Sequence, residues 1–423
     1  MSGPWLEQEG PALTPAGALL RLADEPVLLM LHGGGSGWTY CSWGAPTAAW
    51  DAVGALRPGP GPGAHGVGGA PGAHPGGSAW SGRFPGGWFV QLDYEFPHTP
   101  ARCWQVDAFA AWDPAGRLRL HARERAGLAR LAAGLAREPR TLPEVRLASA
   151  LVPAWPAAGH GARSEAIRAY IAAGDIYQAN LTVSFSARLQ PGPGNDLAVF
   201  LALTATSPAP FAALLRTPER SIISHSPECF LAIADGAIAS EPIKGTCRRI
   251  AGQEAESRRR LLASAKDRAE LAMIVDLVRN DLGRVAAPGS VRVAEPARIL
   301  DLPYVHHLVA RIEARLRGAV ALREIISAAF PAGSITGAPK HRAMSIIREL
   351  EARPRGAYCG AFGWVAATGD AELAVAIRTL VMRGDAIELA AGGGIVADSD
   401  AAAEWDELRA KAGAMAAALG AVL

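Results

Sequence analysis

An α+β sandwich is the fold that this 423-residue sequence predicts, on three observations. Strand-like and helix-like segments come in runs and do not alternate βαβ, which argues against a doubly wound sheet. Half of the residues are hydrophobic, enough to fill a large core. No internal repeat divides the chain into similar units.

In chain order, a short β-like run covers 27–31. Residues 54–79 are dominated by Gly and Pro; such a segment buries little apolar surface and reads as a flexible surface loop. Strand-like pieces follow at 88–92 and 103–106, then a helical stretch rich in Ala, Arg and Leu over 122–137. A Pro-containing break near 152–161 separates an N-terminal subregion, 1–150, from a second region, 160–420, expected to pack together as one integrated domain. Ser164 is placed to cap a helix over 165–173 that Gly174 ends. Strands are expected at 181–189, 211–215, 221–224 and 230–233. One long helix is expected over 253–285, where Leu261, Leu262, Leu271, Ile274, Leu277 and Val278 recur at helical spacing. Further helices are expected at 320–330, 338–351 and 401–419, with strands at 362–366, 372–383 and 386–391.

Composition excludes several classes. The formal net charge is +2, so nothing electrostatic points to nucleic acid or an anionic membrane. No uninterrupted apolar run reaches the length of a membrane span, and Glu7, Glu9 and Pro11 do not read as part of a signal peptide. The five cysteines are scattered, without a C-x-x-C pair, which fits a reducing cytoplasm. Two motif-like strings lack their context. Leu31-His32-Gly33-Gly34-Gly35 resembles a hydrolase oxyanion segment, but no G-x-S-x-G elbow accompanies it. Gly61-x-Gly63-x-x-Gly66 matches the dinucleotide pattern without a preceding strand.

The chemistry-bearing residues are elsewhere. Asp267 and Glu270 form an i, i+3 pair, as do Glu404 and Glu407; each pair shares one helix face. Two such faces together make an oxygen-rich site suited to Mg2+, although either alone also fits a solvated face. Lys244, between Pro242 and Gly245, sits in a strand-to-turn context; it is a surface charge or, if desolvated, a nucleophile. Glu228 is a candidate general acid. Arg378, after alternating strand residues, can clamp a carboxylate with two parallel hydrogen bonds. Gly392, Gly393 and Gly394 follow a strand and let backbone N–H groups approach an anion. His307 reads either as a satisfied helix histidine or as a reactive one.

Together these segments resemble the chorismate-utilising enzymes. The blocks are G-D-I-Y-Q-A-N-L-T (174–182), S-P-E-C-F-L (226–231), P-I-K-G-T (242–246), the 266–285 segment, H-H-L-V (306–309), F-P-A-G-S-I-T-G-A-P-K (330–340), R-G-A-Y-C-G (355–360), A-I-R-T (376–379) and A-G-G-G-I-V-A-D-S-D (391–400), continuing through Lys411. The resemblance implies a large sandwich with helices around two packed β-sheets. It implies that Glu270 and Glu407 bind magnesium, supported by Asp267 and Glu404. It places Gly245, Thr246, Tyr358, Arg378, Gly392, Gly393, Gly394 and Lys411 at chorismate, with His307 near the reacting ring. The lysine in P-I-K-G-T, where anthranilate-forming members usually carry alanine, implies the branch that aminates chorismate at C4. In that branch Lys244 attacks C2, Glu228 protonates the departing hydroxyl and ammonia adds at C4. No segment reads as an amidotransferase, so a separate glutamine amidotransferase subunit is expected to supply the ammonia. The leucine-rich strand lacks the Glu-Ser of the family's tryptophan site.

Overall fold

The computed structural model describes residues 5–33, 37–59 and 84–423. Most of the Gly/Pro-rich 54–79 segment, from residue 60 onward, lies outside them, as does part of the Gly33–Gly35 turn. The start of that segment is packed: Gly54 is buried next to buried Val53, and the Leu56 carbonyl accepts the Leu322 N–H.

Among the described residues, two antiparallel sheets carry the fold. The first has twelve strands, in the order Leu6–Glu9, Leu118–Ala122, Ala108–Trp112, Thr39–Trp43, Leu28–His32, Phe211–Arg216, Ser221–Ser226, Thr379–Arg383, Ala386–Ile395, Gln178–Arg188 and Gly337–Ala338, with Val152–Pro153 alongside Gln178–Arg188. The second has ten, in the order Ile243–Arg248, Val305–Arg315, Ala237–Glu241, Cys229–Ala234, Ala371–Val375, Ala361–Ala366, Gly87–Leu92, Arg102–Val106 and Thr47–Ala48, with Arg292–Asp301 against Val305–Arg315. Strands from before residue 125 thus complete both sheets.

The strand Leu28–His32 shows why. Successive side chains point to opposite faces. Leu28 and Met30 join the core under the helices, whereas Leu29 and Leu31 join the core between the sheets, with Phe89, Phe362 and Trp364. A strand covered on both faces needs an unbroken apolar run, which Leu28-Leu29-Met30-Leu31 supplies. Among the described residues, no helix is long and apolar enough to cross a membrane.

Three local expectations are corrected. The helix expected over 165–173 begins eight residues earlier and spans Ala157–Ala172, after Pro156. Ser164 is buried inside it, and Pro156 supplies the break. The long helix splits at Ser264 into Glu254–Ala263 and Ala265–Gly283, because the Ser264 hydroxyl accepts the Asp267 N–H and caps the second. The expected 372–383 strand is two strands in different sheets, Ala371–Val375 and Thr379–Arg383. The chain crosses between the sheets at 376–378, where Arg378 has φ +49.

Candidate active site

A cavity of about 910 Å³ opens between the sheets and two helices. All fifteen residues singled out from the sequence line it: Glu228, Lys244, Gly245, Thr246, Asp267, Glu270, His307, Tyr358, Arg378, Gly392, Gly393, Gly394, Glu404, Glu407 and Lys411. They come from eight separate stretches of chain.

Lys244 is on the strand Ile243–Arg248, whose register against Val305–Arg315 slips between Lys244 and Thr246. Gly245 takes φ +78 there, a bulge geometry that glycine adopts without strain. A side chain at Gly245 would also crowd Asp267, whose carboxyl lies 3.0 Å from the position of a Cβ. The bulge therefore brings the lysine strand against the helix Ala265–Gly283. Burial lowers the Lys244 pKa; Glu270 opposes that shift and Lys411 adds to it. An amine held in this way gains neutral, nucleophilic character.

Glu228 lies at the start of Cys229–Ala234 and is 3% exposed. Its carboxylate accepts a hydrogen bond from Ser334 Oγ. Burial raises its pKa to about 7, against the opposing Ser334 hydrogen bond and the Lys244 charge. A carboxyl poised there can deliver a proton near neutral pH.

His307 is on a strand, not a helix, in register with Thr246. Its Nδ1 lies 2.8 Å from Thr246 Oγ1, and its Nε2 lies 3.2 Å from Arg378 Nη2. A guanidinium can only donate. Nε2 therefore accepts, and the proton sits on Nδ1 and is donated to Thr246. Burial, and next Arg378, lower the His307 pKa to about 3, so the ring is neutral. Arg378 reaches it from the sheet crossover; its carbonyl accepts the His225 N–H at 3.0 Å. Its left-handed backbone is costly for a residue with a Cβ, and strain of this kind clusters at functional sites. Tyr358 is buried, and burial holds its pKa well above the ordinary tyrosine value.

The two carboxylate helices are Ala265–Gly283 and Ala401–Ala418. Burial raises the Glu270 pKa; Lys244 and Lys266 counteract it, and the Glu407 and Asp267 carboxylates add to it. Glu407 is pushed up by burial but held lower overall by Lys411, whose Nζ lies 2.7 Å from Oε1. Glu404 is buried and accepts a hydrogen bond from Ser399 Oγ at 2.7 Å. Among the described residues, no three His, Cys, Asp or Glu side chains are gathered as a preformed metal cluster.

The three glycines lie inside the strand Ala386–Ile395, not after it. Its partner Thr379–Arg383 pairs with 386–389, and among the described residues no strand pairs with that edge of Ala390 to Ile395. Asn180 and Thr182 face Gly394 and Gly392 in the register, yet send their N–H groups to Thr336 and Glu351 on the far side. These are non-hydrogen-bonded pairs, so Gly392 and Gly394 turn their own N–H groups to the open edge. Lys411 Nζ donates to the Gly392 carbonyl from that edge at 3.1 Å.

Sequence reasoning missed the residues behind the glycines. Asn180 lines the cavity, and Gln178 and Thr182 lie beside it on the same strand. They belong to the 174–182 block, and their two-residue spacing was the available signal.

A family model described as chorismate binding enzyme matches residues 77–417. Aminodeoxychorismate synthase component 1 of Klebsiella aerogenes is 46% identical over 250 residues, covering 59% of this chain and 55% of that protein. Anthranilate synthase component 1 of Haloferax volcanii is 42% identical over 247 residues, covering 57% and 46% respectively. The chain thus spans about half the length of the curated relatives it matches. The crystal structure of anthranilate synthase component I from Streptococcus pneumoniae TIGR4 superposes with a TM-score of 0.71 at 25% identity, covering 98% of this chain and 92% of that one. The match over most of the chain, falling on the residues that line the cavity, makes this protein a member of the chorismate-binding enzyme family.

Proposed function

We propose that this chain aminates chorismate at C4 to give 4-amino-4-deoxychorismate, with ammonia supplied by a separate glutamine amidotransferase subunit. The observation that carries the reading is Lys244, desolvated in the same cavity as Glu228. The neutral Lys244 amine attacks C2, the ring double bonds shift, and the C4–O bond breaks. Glu228 gives its proton to the departing hydroxyl, which leaves as water. Ammonia then adds at C4, the double bonds shift back, and the C2–N bond to Lys244 breaks. Arg378 holds a substrate carboxylate, its guanidinium steadied by neutral His307, which Thr246 orients. The open-edge N–H groups of Gly392 and Gly394 offer a second anion contact. The similarity to proteins named component 1 supports a partner component. The four carboxylates suit Mg2+, a hard ion that takes one or two carboxylates and keeps its remaining positions for water or substrate oxygens. Glu270 and Glu407 would hold it, with Asp267 and Glu404 in support, and when bound it supplies a Lewis acid for the ring carboxylate.

The test is chorismate consumption by the purified chain with magnesium and ammonium. Consumption that requires ammonium and is lost in Lys244→Ala supports the reading. Consumption unchanged in Lys244→Ala sinks it.

A further inference from the structure

Behind the open edge of the glycine strand is a row of polar side chains that the mechanism above does not use. Gln178, Asn180 and Thr182 alternate along Gln178–Arg188 and so share one face. Gln178 is 0% exposed, and Asn180 and Thr182 are each 6% exposed. Gln178 Nε2 and Oε1, Asn180 Oδ1 and Thr182 Oγ1 are buried without a hydrogen-bond partner among the described residues. Native folds rarely leave such atoms unpaired, and four in one row call for an explanation.

The glycines opposite explain how the row fits. A Cβ at Gly392 would lie 2.6 Å from Asn180 Oδ1 and 2.8 Å from Thr182 Oγ1. A Cβ at Gly394 would lie 2.2 Å from Gln178 Nε2 and 3.4 Å from Lys244 Nζ. The Gln178 amide and the Lys244 amine, carried by different sheets, therefore meet across the same methyl-sized space. Only an absent side chain lets them do so.

We propose that Gln178 is a positioning residue for Lys244; this rests on the reading of Lys244 as the nucleophile. A half-turn of the terminal amide presents Oε1 to the amine, and no hydrogen bond among the described residues opposes that turn. Oε1 then accepts one Nζ–H and fixes the direction of the nitrogen lone pair. A neutral acceptor suits the task, because a carboxylate at the same place would hold the lysine protonated and unreactive.

The test uses the full chain carrying Gln178→Leu or Gln178→Glu. Steady-state amination is measured, together with the rate at which a small acylating reagent labels Lys244 at neutral pH, read by peptide mass spectrometry. Gln178→Leu is expected to lower kcat about tenfold or more, with the chorismate KM within about twofold, as misorientation of a reacting group does. Gln178→Glu is expected to slow Lys244 labelling by about tenfold or more, as a new carboxylate beside the amine requires. Labelling equal to that of the unmodified chain in Gln178→Glu overturns the proposal. So does a change in KM without one in kcat in Gln178→Leu. If Gln178→Leu does not fold, the near-isosteric Gln178→Glu decides. The labelling assay needs no chorismate, so failure of the amination reading and failure of this inference remain distinguishable.

Discussion

Replacing Glu228 by Gln separates what this carboxyl costs the fold from what it does chemically. Burial raises its pKa from 4.5 to about 7. Below about pH 4.5 the group is protonated in both folded and unfolded chains, and no penalty exists. As pH rises from about 4.5 through 7, the unfolded chain ionises this carboxyl while the folded chain keeps its proton until about 7. The stability present at low pH is then lost, by roughly 3 kcal/mol for a shift of this size. Glu228→Gln is neutral throughout and nearly isosteric. Relative to it, the unmodified protein should lose roughly 3 kcal/mol between pH 4.5 and 8, read by urea denaturation of both proteins across that range. Amination should fall as pH rises through about 7, where the acid is spent, and Glu228→Gln should be slower by about 10²–10⁴-fold. Parallel stability profiles would refute the raised pKa and, with it, the general-acid role.

Arg378→Lys retains charge but not the planar fork; the chorismate KM should rise about 10–100-fold, measured by initial rates. Glu270→Gln should raise the magnesium concentration for half-maximal activity by at least the roughly 10–100-fold typical of losing an outer partner of a metal site, and a magnesium titration of activity checks it. Arg355 and Glu351 form an ion pair with side chains only 2% and 3% exposed, and Glu351 also accepts the Thr182 N–H at 2.9 Å. Arg355→Met leaves that buried carboxylate without its counter-charge and should cost about 3–5 kcal/mol of stability in denaturant titrations.

The parts of the site legible in the sequence were those whose chemistry is carried by residue type. A lysine between Pro242 and Gly245, two i, i+3 acidic pairs and three consecutive glycines announce themselves, and one cavity gathers them. What stayed hidden depends on tertiary geometry. Alternation around Arg378 suggests a single strand, and only the packing of two sheets shows the chain leaving one and entering the other at that residue. Helical periodicity runs through Ser264 without a break, because the capping hydrogen bond to Asp267 leaves the apolar spacing almost unchanged. His307 gave no strand signal of its own; its pairing with Thr246 is a contact between residues 61 positions apart. Gln178, Asn180 and Thr182 read as ordinary polar strand residues until the opposite strand proves to lack side chains.

The most direct test is the identity of the product. The purified chain is incubated with chorismate, magnesium and ammonium, and the product is identified by mass spectrometry and fluorescence. The expected product is 4-amino-4-deoxychorismate, absent in Lys244→Ala. Anthranilate as the main product would contradict it and move the chain to the branch of the family whose members usually carry alanine at that position.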